Sequence, residues 1–121
     1  MQLARKQISR RSENPNWTYW DVTAKSALPK HKCMAPPWGL VMGLKNRQIT
    51  WEEYKRVYLG QLEDNKQEII KFIQDEMASD TSVLVFMCYC PDNDPCHTYL
   101  LESFVLQHVP GTSLFQTSGN I

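Results

Sequence analysis

An unbroken apolar run from Val83 to Cys88 constrains the fold of this chain more than any other feature. It has the length of one strand, it is β-branched at its start, and polar turns flank it. A strand that is apolar on both faces is typical of the centre of a parallel sheet with both faces covered. Since helix-like and strand-like segments alternate along the chain, we predict a small α/β three-layer sandwich with a mostly parallel central sheet.

Two helices are predicted after residue 50. Thr50 followed by Glu53 is a capping box, and it marks the N-terminus of the first of these helices. Beyond it, a 3.6-residue period predicts one buried face formed by Trp51, Tyr54, Val57, Tyr58 and Leu62. Core packing is one interpretation of the aromatic members of this face, and lining a cleft is the other. The second helix is predicted to begin at Asp64 or Asn65, and it carries another apolar stripe, made of Ile69, Ile70, Ile73 and Met77.

Weaker signals describe the rest of the chain. The β-branched and aromatic residues of segment 17–23 predict a strand, and Pro37 is placed to open a short helix over 38–44. Residues 30–35 are expected to form a loop, and 110–116 an edge strand. A helix carrying Leu100, Leu101, Phe104 and Val105 on one side is expected to precede that strand. The first 16 residues are polar, with a turn-forming cluster.

Composition and length limit the class of protein. A chain of 121 residues with 42% hydrophobic and 21% charged residues predicts one folded domain, 1–121. No apolar stretch approaches the roughly 20 residues of a membrane helix, so no membrane partner is expected. The N-terminus has no apolar signal core, and the four cysteines therefore suggest reduced thiols in a cytoplasmic protein. A phage origin is compatible with this size, and no cofactor is predicted.

Charge is distributed unevenly along the chain. Residues 1–33 contain seven basic and two acidic residues, and the remainder contains six basic and eleven acidic residues. The basic third either attracts a nucleotide, a nucleic acid or another phosphate-bearing partner, or simply forms a solvated face. Within it, Arg5, Arg10 and Arg11 are candidates to clamp a phosphate group.

Segment 88–97 carries the most reactive side chains. In a parallel sheet the ligand cleft lies at the carboxyl ends of the strands, which is where this segment falls. Asp94 is a good N-cap and Pro95 suits the first helical position, so Cys96 is expected in the first helical turn. The helix dipole favours a thiolate there. We therefore predict that the sulfur of Cys96 lies exposed in a cavity and acts as a nucleophile.

Several neighbours of Cys96 have two interpretations. His97 either orients the loop and binds an anion, or packs as a structural histidine in line with Leu101 and Phe104. Cys88 and Cys90 point to one face of the strand, as small buried residues or as ligands. Asp92 and Asp94 suit turn and capping roles first, and acid–base roles second. A zinc site remains open as an alternative, with candidate ligands His31, Cys33, Cys88, Cys90, Cys96 and His97.

Two groups of residues carry a family resemblance. Ala35-Pro36-Pro37-Trp38, Lys45, and segment 49–54 with Tyr58 and Leu62 form the first; Cys88-Tyr89-Cys90 followed by Cys96-His97 forms the second. In this order and spacing the chain resembles domain-of-unknown-function family 488 over about residues 17–108. The resemblance implies a Rossmann-like core preceded by a basic segment, 1–16, and it supplies no established reaction.

The resemblance also adds candidate residues and one departure. Members commonly carry Arg after Cys-His, where this chain has Thr98, and an acidic residue where Cys90 stands. If that Arg neutralises an anion in relatives, its absence here favours a binding role. The complete ligand-binding prediction comprises Arg5, Arg10, Arg11, Trp38, Lys45, Tyr54, Tyr58, Cys88, Cys90, Asp94 and Thr98, with Cys96 and His97 as catalytic candidates.

Three functions follow as hypotheses. The first is a thiol-dependent enzyme-like domain that acts on or binds a nucleotide or a nucleic-acid fragment. The second is a non-catalytic protein that sequesters an anionic nucleotide ligand or docks a protein partner. The third is a structural zinc-bound module.

Overall fold

The computed structural model describes residues 1–8, 14–89 and 96–115. The strands of these ranges are β1 (Gln2–Gln7), β2 (Thr18–Asp21), β3 (Val83–Cys88) and β4 (Ser113–Leu114). The helices are a 3₁₀ helix (Pro29–Met34), α1 (Trp38–Lys45), α2 (Trp51–Asp64), α3 (Lys66–Ala78) and α4 (His97–His108).

In the described parts of the chain, four strands form one sheet in the order β2-β3-β1-β4. Each neighbouring pair of strands is parallel. Trp20 of β2 lies opposite Phe86 of β3. Leu3 of β1 lies between Leu84 of β3 and Leu114 of β4. Every residue of β3 is buried, as predicted for a central strand. The predicted fold class, a small α/β sandwich with a parallel sheet, is confirmed.

The N-terminal segment is the main correction to the predicted fold. Residues 2–7 form β1, which lies inside the sheet and pairs with β3 along its whole length, from Gln2 opposite Val83 to Gln7 opposite Cys88. The expectation that 1–16 precedes the core is therefore wrong. Leu3 and Ala4 are the buried side chains of β1, and the polar residues after them hide the strand pattern. Ladder hydrogen bonds with β3 stabilise this strand although its own β propensity is low.

The two faces of the sheet have different covers. Leu3, Trp20, Leu84 and Phe86 pack in the main core, together with apolar residues of α2, α3 and α4. On the other face, Ala4, Val83, Val85 and Met87 are covered by Ile8, Trp17, Tyr19 and Phe115. Ile8 and Trp17, which come just after β1 and just before β2, therefore both pack on the second face. A right-handed crossover requires this, because β1–β2 runs across the sheet in the opposite direction to the later crossovers.

Most predicted helices are present at the predicted places. The Thr50 hydroxyl accepts a 3.1 Å hydrogen bond from the backbone N–H of Glu53, as a capping box requires. α3 follows Asn65, and α2 buries Tyr54, Tyr58 and Leu62. Val57 is exposed, so its assignment to the buried face is wrong. None of the helices in the described ranges has the length and apolar content that crossing a bilayer requires.

The segment expected to be a loop, 30–35, is also a correction. It contains most of the 3₁₀ helix, which begins at Pro29. His31 and Met34 are both buried on one side of this helix. A three-residue repeat places positions i and i+3 on the same side, so burial of this pair stabilises the turn.

Candidate functional site

A cleft of about 880 Å³ lies at the carboxyl edge of the sheet. It is bounded by the loop after β2, the residue after β3, the start of α4, and helices α1 and α2. Parallel strands place their carboxyl ends at one edge, so segments far apart in sequence meet there. Its described lining residues are Thr23, Ala24, Lys25, Pro36, Trp38, Val41, Leu44, Lys45, Arg47, Trp51, Tyr54, Tyr89 and His97.

Three cationic side chains, Lys25, Lys45 and Arg47, line the cleft. None of the described lining residues is Asp or Glu. A concave, mostly apolar wall with charges of one sign raises the local concentration of counter-ions. The cleft is therefore suited to an anion.

Aromatic rings form much of the wall. Trp51 stacks on Tyr54 with ring centroids 5.1 Å apart. Trp38 is 46% exposed and Tyr89 is 54% exposed, although both are large apolar side chains. The ammonium of Lys25 lies 4.3 Å from the centroid of the Trp38 ring. Exposed aromatic faces beside cations are the surfaces on which nucleobases stack.

His97 is buried beside the cleft and both of its ring nitrogens are engaged. Nε2 lies 2.7 Å from the carbonyl oxygen of Val22, and because a carbonyl only accepts, Nε2 carries the proton. Nδ1 lies 3.7 Å from the sulfur of Cys96. The ring packs edge-on against Tyr58, with centroids 5.5 Å apart. These contacts hold the imidazole between the end of β2 and the start of α4.

Cys96 does not lie where the sequence predicted. It is the N-cap of α4, with extended backbone, and the helix begins at His97, so its placement in the first turn behind an Asp94 cap is wrong. The residue is 3% exposed and is absent from the described lining, so the expected exposed sulfur is wrong too. The hydroxyl of buried Thr98 donates to the sulfur at 3.3 Å.

Tyr58 and Cys88 lie in the interior behind the cleft. The hydroxyl of fully buried Tyr58 donates to the carbonyl oxygen of Met34 at 2.6 Å. Burial raises the pKa of Tyr58 well above its usual value, and nearby Tyr54 and Cys96 raise it further, so the phenol stays neutral. The sulfur of Cys88 lies 4.0 Å from the Thr98 hydroxyl. Neither Tyr58 nor Cys88 is among the described lining residues.

Arg5 lies on β1, away from the cleft lining. Its Nε donates to Oε1 of Glu102 at 3.0 Å, and its guanidinium lies 3.3 Å from the centroid of the Tyr99 ring. Burial raises the pKa of Glu102, although the Arg5 charge and hydrogen bond oppose that shift. Arg5 thus pairs with the buried carboxylate of Glu102 and does not join the three cations of the cleft.

Comparison with known families assigns this chain. A model of the DUF488-N3a family, described as the active DUF488-N3 subclade, matches residues 5–109. The chain belongs to the DUF488 family. The match begins within β1 and ends just after α4, so it includes a strand that the expected core of 17–108 left out. Neither the curated proteins nor the solved structures contain a match to this chain.

The DUF488 fold brings together some of the predicted site residues. Trp38, Lys45, Tyr54 and His97 line the cleft, as does Trp51, which also packs against the main core. Tyr58, Cys88, Cys96 and Thr98 are buried behind it. Arg10, Arg11, Cys90 and Asp94 lie outside the described residues, as does Asp92.

Four lining residues with polar or charged side chains were not predicted from the sequence: Thr23, Lys25, Arg47 and Tyr89. Tyr89 directly follows β3 and Thr23 comes two residues after β2, so the strand-end rule was a usable signal for both. Lys25 is carried on the same loop as Thr23. Arg47 follows α1, and nothing local in the sequence relates it to the sheet edge.

The zinc alternative receives no ligand set from the described part of this DUF488 protein. Across residues 1–8, 14–89 and 96–115, no three His, Cys, Asp or Glu side chains are grouped to hold a metal ion. His31 stacks on Trp20 with ring centroids 4.4 Å apart. Burial raises the pKa of Cys33 to about 11, helped by the Glu68 charge. A cysteine binds zinc as a thiolate, and the raised pKa of Cys33 opposes loss of its proton.

Proposed function

We propose that this DUF488 protein binds a nucleotide or a similar phosphate-bearing aromatic ligand in the cleft. One observation supports the proposal above all others. Lys25, Lys45 and Arg47 share a cavity with four aromatic side chains, and no acid occurs among its described lining residues. Such a cavity matches a ligand that combines a planar ring with an anionic group.

The size of the cleft supports the same class of ligand. Small-molecule sites usually measure roughly 300–1,000 Å³. At about 880 Å³, the cleft accommodates a mononucleotide. Trp38 is the proposed stacking surface for the base, and Lys45 and Arg47 are proposed to hold the phosphate. An arginine offers two parallel N–H donors to phosphate oxygens, and lysine adds a point charge.

The burial and the existing contacts of the Cys96–His97 pair favour binding over thiol chemistry. The sulfur is buried, and the two imidazole nitrogens are engaged by Val22 and by that sulfur. A general base needs a nitrogen within hydrogen-bond reach of the reacting group. We therefore assign His97 the task of holding the strand end of β2 against α4, which shapes the cleft floor.

Calorimetric titration with the monophosphates of adenosine, guanosine, cytidine and uridine tests the proposal. We expect at least one of them to bind, and we expect Lys45→Ala to weaken it about tenfold, because a charged hydrogen bond contributes about 1.5 kcal/mol. Lys55→Ala is the matched control. Lys55 pairs with Glu52 at 3.2 Å outside the cleft, so its removal changes net charge equally and leaves affinity unchanged.

Two results would overturn the proposal. One is the absence of binding by all four nucleotides. The other is equal loss of affinity in the Lys45 and Lys55 variants, which would indicate a general charge effect in place of a site.

Thiol chemistry at Cys96 is the second candidate, and two findings favour it. The Cys96 sulfur lies 3.7 Å from Nδ1 of His97, so transfer of the thiol proton to that nitrogen yields a thiolate and an imidazolium. The matched family model is described as active. The Thr98 hydroxyl would stabilise the thiolate by donating to it. This candidate requires the N-cap of α4 to move, because the sulfur is buried.

Alkylation by iodoacetamide at neutral pH separates the two candidates. Under the binding proposal, native Cys96 reacts more slowly than free cysteine, because burial excludes the reagent. Cys33 is an internal reference, since its pKa of about 11 keeps it a poorly reactive thiol. The rate at each cysteine is read by peptide mass spectrometry. Reaction of Cys96 faster than free cysteine would replace binding with the thiol candidate.

A further inference from the structure

A hydrogen-bonded network at the carboxyl end of β2 has no part in the function proposed so far. Oδ1 of Asp21 accepts from the backbone N–H of Thr23 at 2.9 Å and from the Thr23 hydroxyl at 2.6 Å. Oδ2 accepts from the hydroxyl of Ser26. Burial alone would raise the pKa of Asp21, but the Ser26 and Thr23 hydrogen bonds and the Lys32 charge hold it below its ordinary value. The carboxylate is therefore ionised at neutral pH and can only accept.

This ionised carboxylate determines the direction of the next hydrogen bond. The Ser26 oxygen lies 3.3 Å from the phenol oxygen of Tyr89, and either atom is able to donate in principle. The single hydrogen of Ser26 is committed to Asp21, since Oδ2 has none to give. In its 2.7 Å contact with the Thr23 hydroxyl, Ser26 is therefore the acceptor. The proton of the Ser26–Tyr89 contact must then come from Tyr89. The phenol donates to Ser26, and its oxygen keeps acceptor capacity.

Tyr89 lies where the direction of its hydrogen bond to Ser26 affects what the cleft offers to a ligand. The side chain lines the cleft and is 54% exposed, whereas Ser26 is not among the described lining residues. Gln7 also donates to the backbone carbonyl of Tyr89 at 3.1 Å, which ties the residue to β1. An aromatic wall residue whose hydroxyl hydrogen is already used presents a hydrogen-bond acceptor, and not a donor, to a ligand.

We propose that Tyr89 is a specificity-determining residue, which selects a ligand that carries a hydrogen-bond donor, an amino or hydroxyl group, beside its planar ring. Ser26 and Asp21 are positioning residues that act through Tyr89. This inference rests on the proposed nucleotide-binding function and deepens it. A site that accepts a hydrogen bond discriminates against an analogue without the donor, because the acceptor is then left unpaired.

The test uses adenosine monophosphate and two analogues. Purine riboside monophosphate lacks the exocyclic amino group, and deoxyadenosine monophosphate lacks one ribose hydroxyl. We expect the natural chain to bind one analogue about three- to tenfold more weakly than adenosine monophosphate, the range for one hydrogen bond. Tyr89→Phe should lower the affinity for adenosine monophosphate by the same factor and remove the discrimination. The analogue that binds more weakly identifies the donor as the amino group or the ribose hydroxyl group.

A double-mutant cycle tests the positioning role. Ser26→Ala removes the partner that orients the Tyr89 hydroxyl and should weaken binding, because the acceptor is then no longer held in place. Ser26→Ala with Tyr89→Phe should lose no more than Tyr89→Phe alone. Thr18→Val is the control: its hydroxyl lies 3.3 Å from that of Thr81 at the amino end of β2, so ligand affinity should be unchanged.

Each outcome has a separate meaning. Equal binding of all three nucleotides, discrimination that persists in Tyr89→Phe, or additive losses in the cycle would overturn this inference and leave nucleotide binding in place. If none of the nucleotides of either panel binds, the proposed function fails and this inference fails with it.

Discussion

Leu3→Ala is expected to lower the free energy of unfolding by about 3 kcal/mol. Leu3 is 1% exposed, lies in β1, and packs in the main core with residues of α2, α3 and α4. Its neighbours in the sheet are Leu84 and Leu114. Truncating a leucine at such a site removes buried apolar surface and leaves a cavity. Because β1 is hydrogen-bonded to a strand on each side, it cannot shift to fill that cavity.

Urea unfolding followed by circular dichroism measures this effect. Leu28→Ala is the matched control, because Leu28 is 56% exposed and the same truncation should cost less than about 0.5 kcal/mol there. If the two variants were equally stable, β1 would not be an interior strand of this fold.

Arg47→Gly is expected to change nucleotide affinity and thermal stability in opposite directions. Arg47 follows the C-cap of α1 with a φ of 60°, the left-handed region that favours glycine. Relief of this strain gains about 1–2 kcal/mol, and the freer unfolded chain of glycine costs up to about 1 kcal/mol. The melting temperature should therefore rise by about 2 °C. Affinity for the nucleotide should fall about tenfold, since the guanidinium that we propose to hold the phosphate is lost.

Asp80→Gly is the control for this prediction. Asp80 also has a φ of 60°, and it follows the C-cap of α3. It precedes β3, at the amino edge of the sheet, whereas the cleft is at the carboxyl edge. We expect a similar rise in melting temperature and no loss of affinity. Scanning calorimetry and titration of both variants provide the comparison, and a loss of affinity in Asp80→Gly would assign the effect to the backbone and not to the Arg47 charge.

Elements with a strong local pattern were predictable from the sequence. β3 is continuously apolar because both of its faces are covered, and α2 has a capping box followed by a helical period. β1 has neither signal, since charged and polar residues occupy most of its length. Its pairing partner, β3, lies about 80 residues away along the chain, and no local pattern carries that pairing.

The candidate site divides in the same way. Trp38, Lys45, Tyr54 and His97 were candidates from the sequence, and they meet at one cleft. The sequence also placed segment 88–97 at the carboxyl end of β3, and two of its described residues, Tyr89 and His97, line the cleft. It predicted an exposed sulfur for Cys96, whereas the residue is buried at the N-cap of α4, because burial depends on tertiary packing that helix-start signals do not encode.

By itself the sequence determined the fold class, through local periodicity, and the family, through the order and spacing of its motifs. Only the tertiary structure decided that Lys25, Arg47 and Tyr89 share a cleft while Arg5 and Cys96 do not. The physical reason is that a side chain reaches a cleft or the interior according to long-range packing between strand ends and helices. That packing is not encoded by the few residues on either side of it.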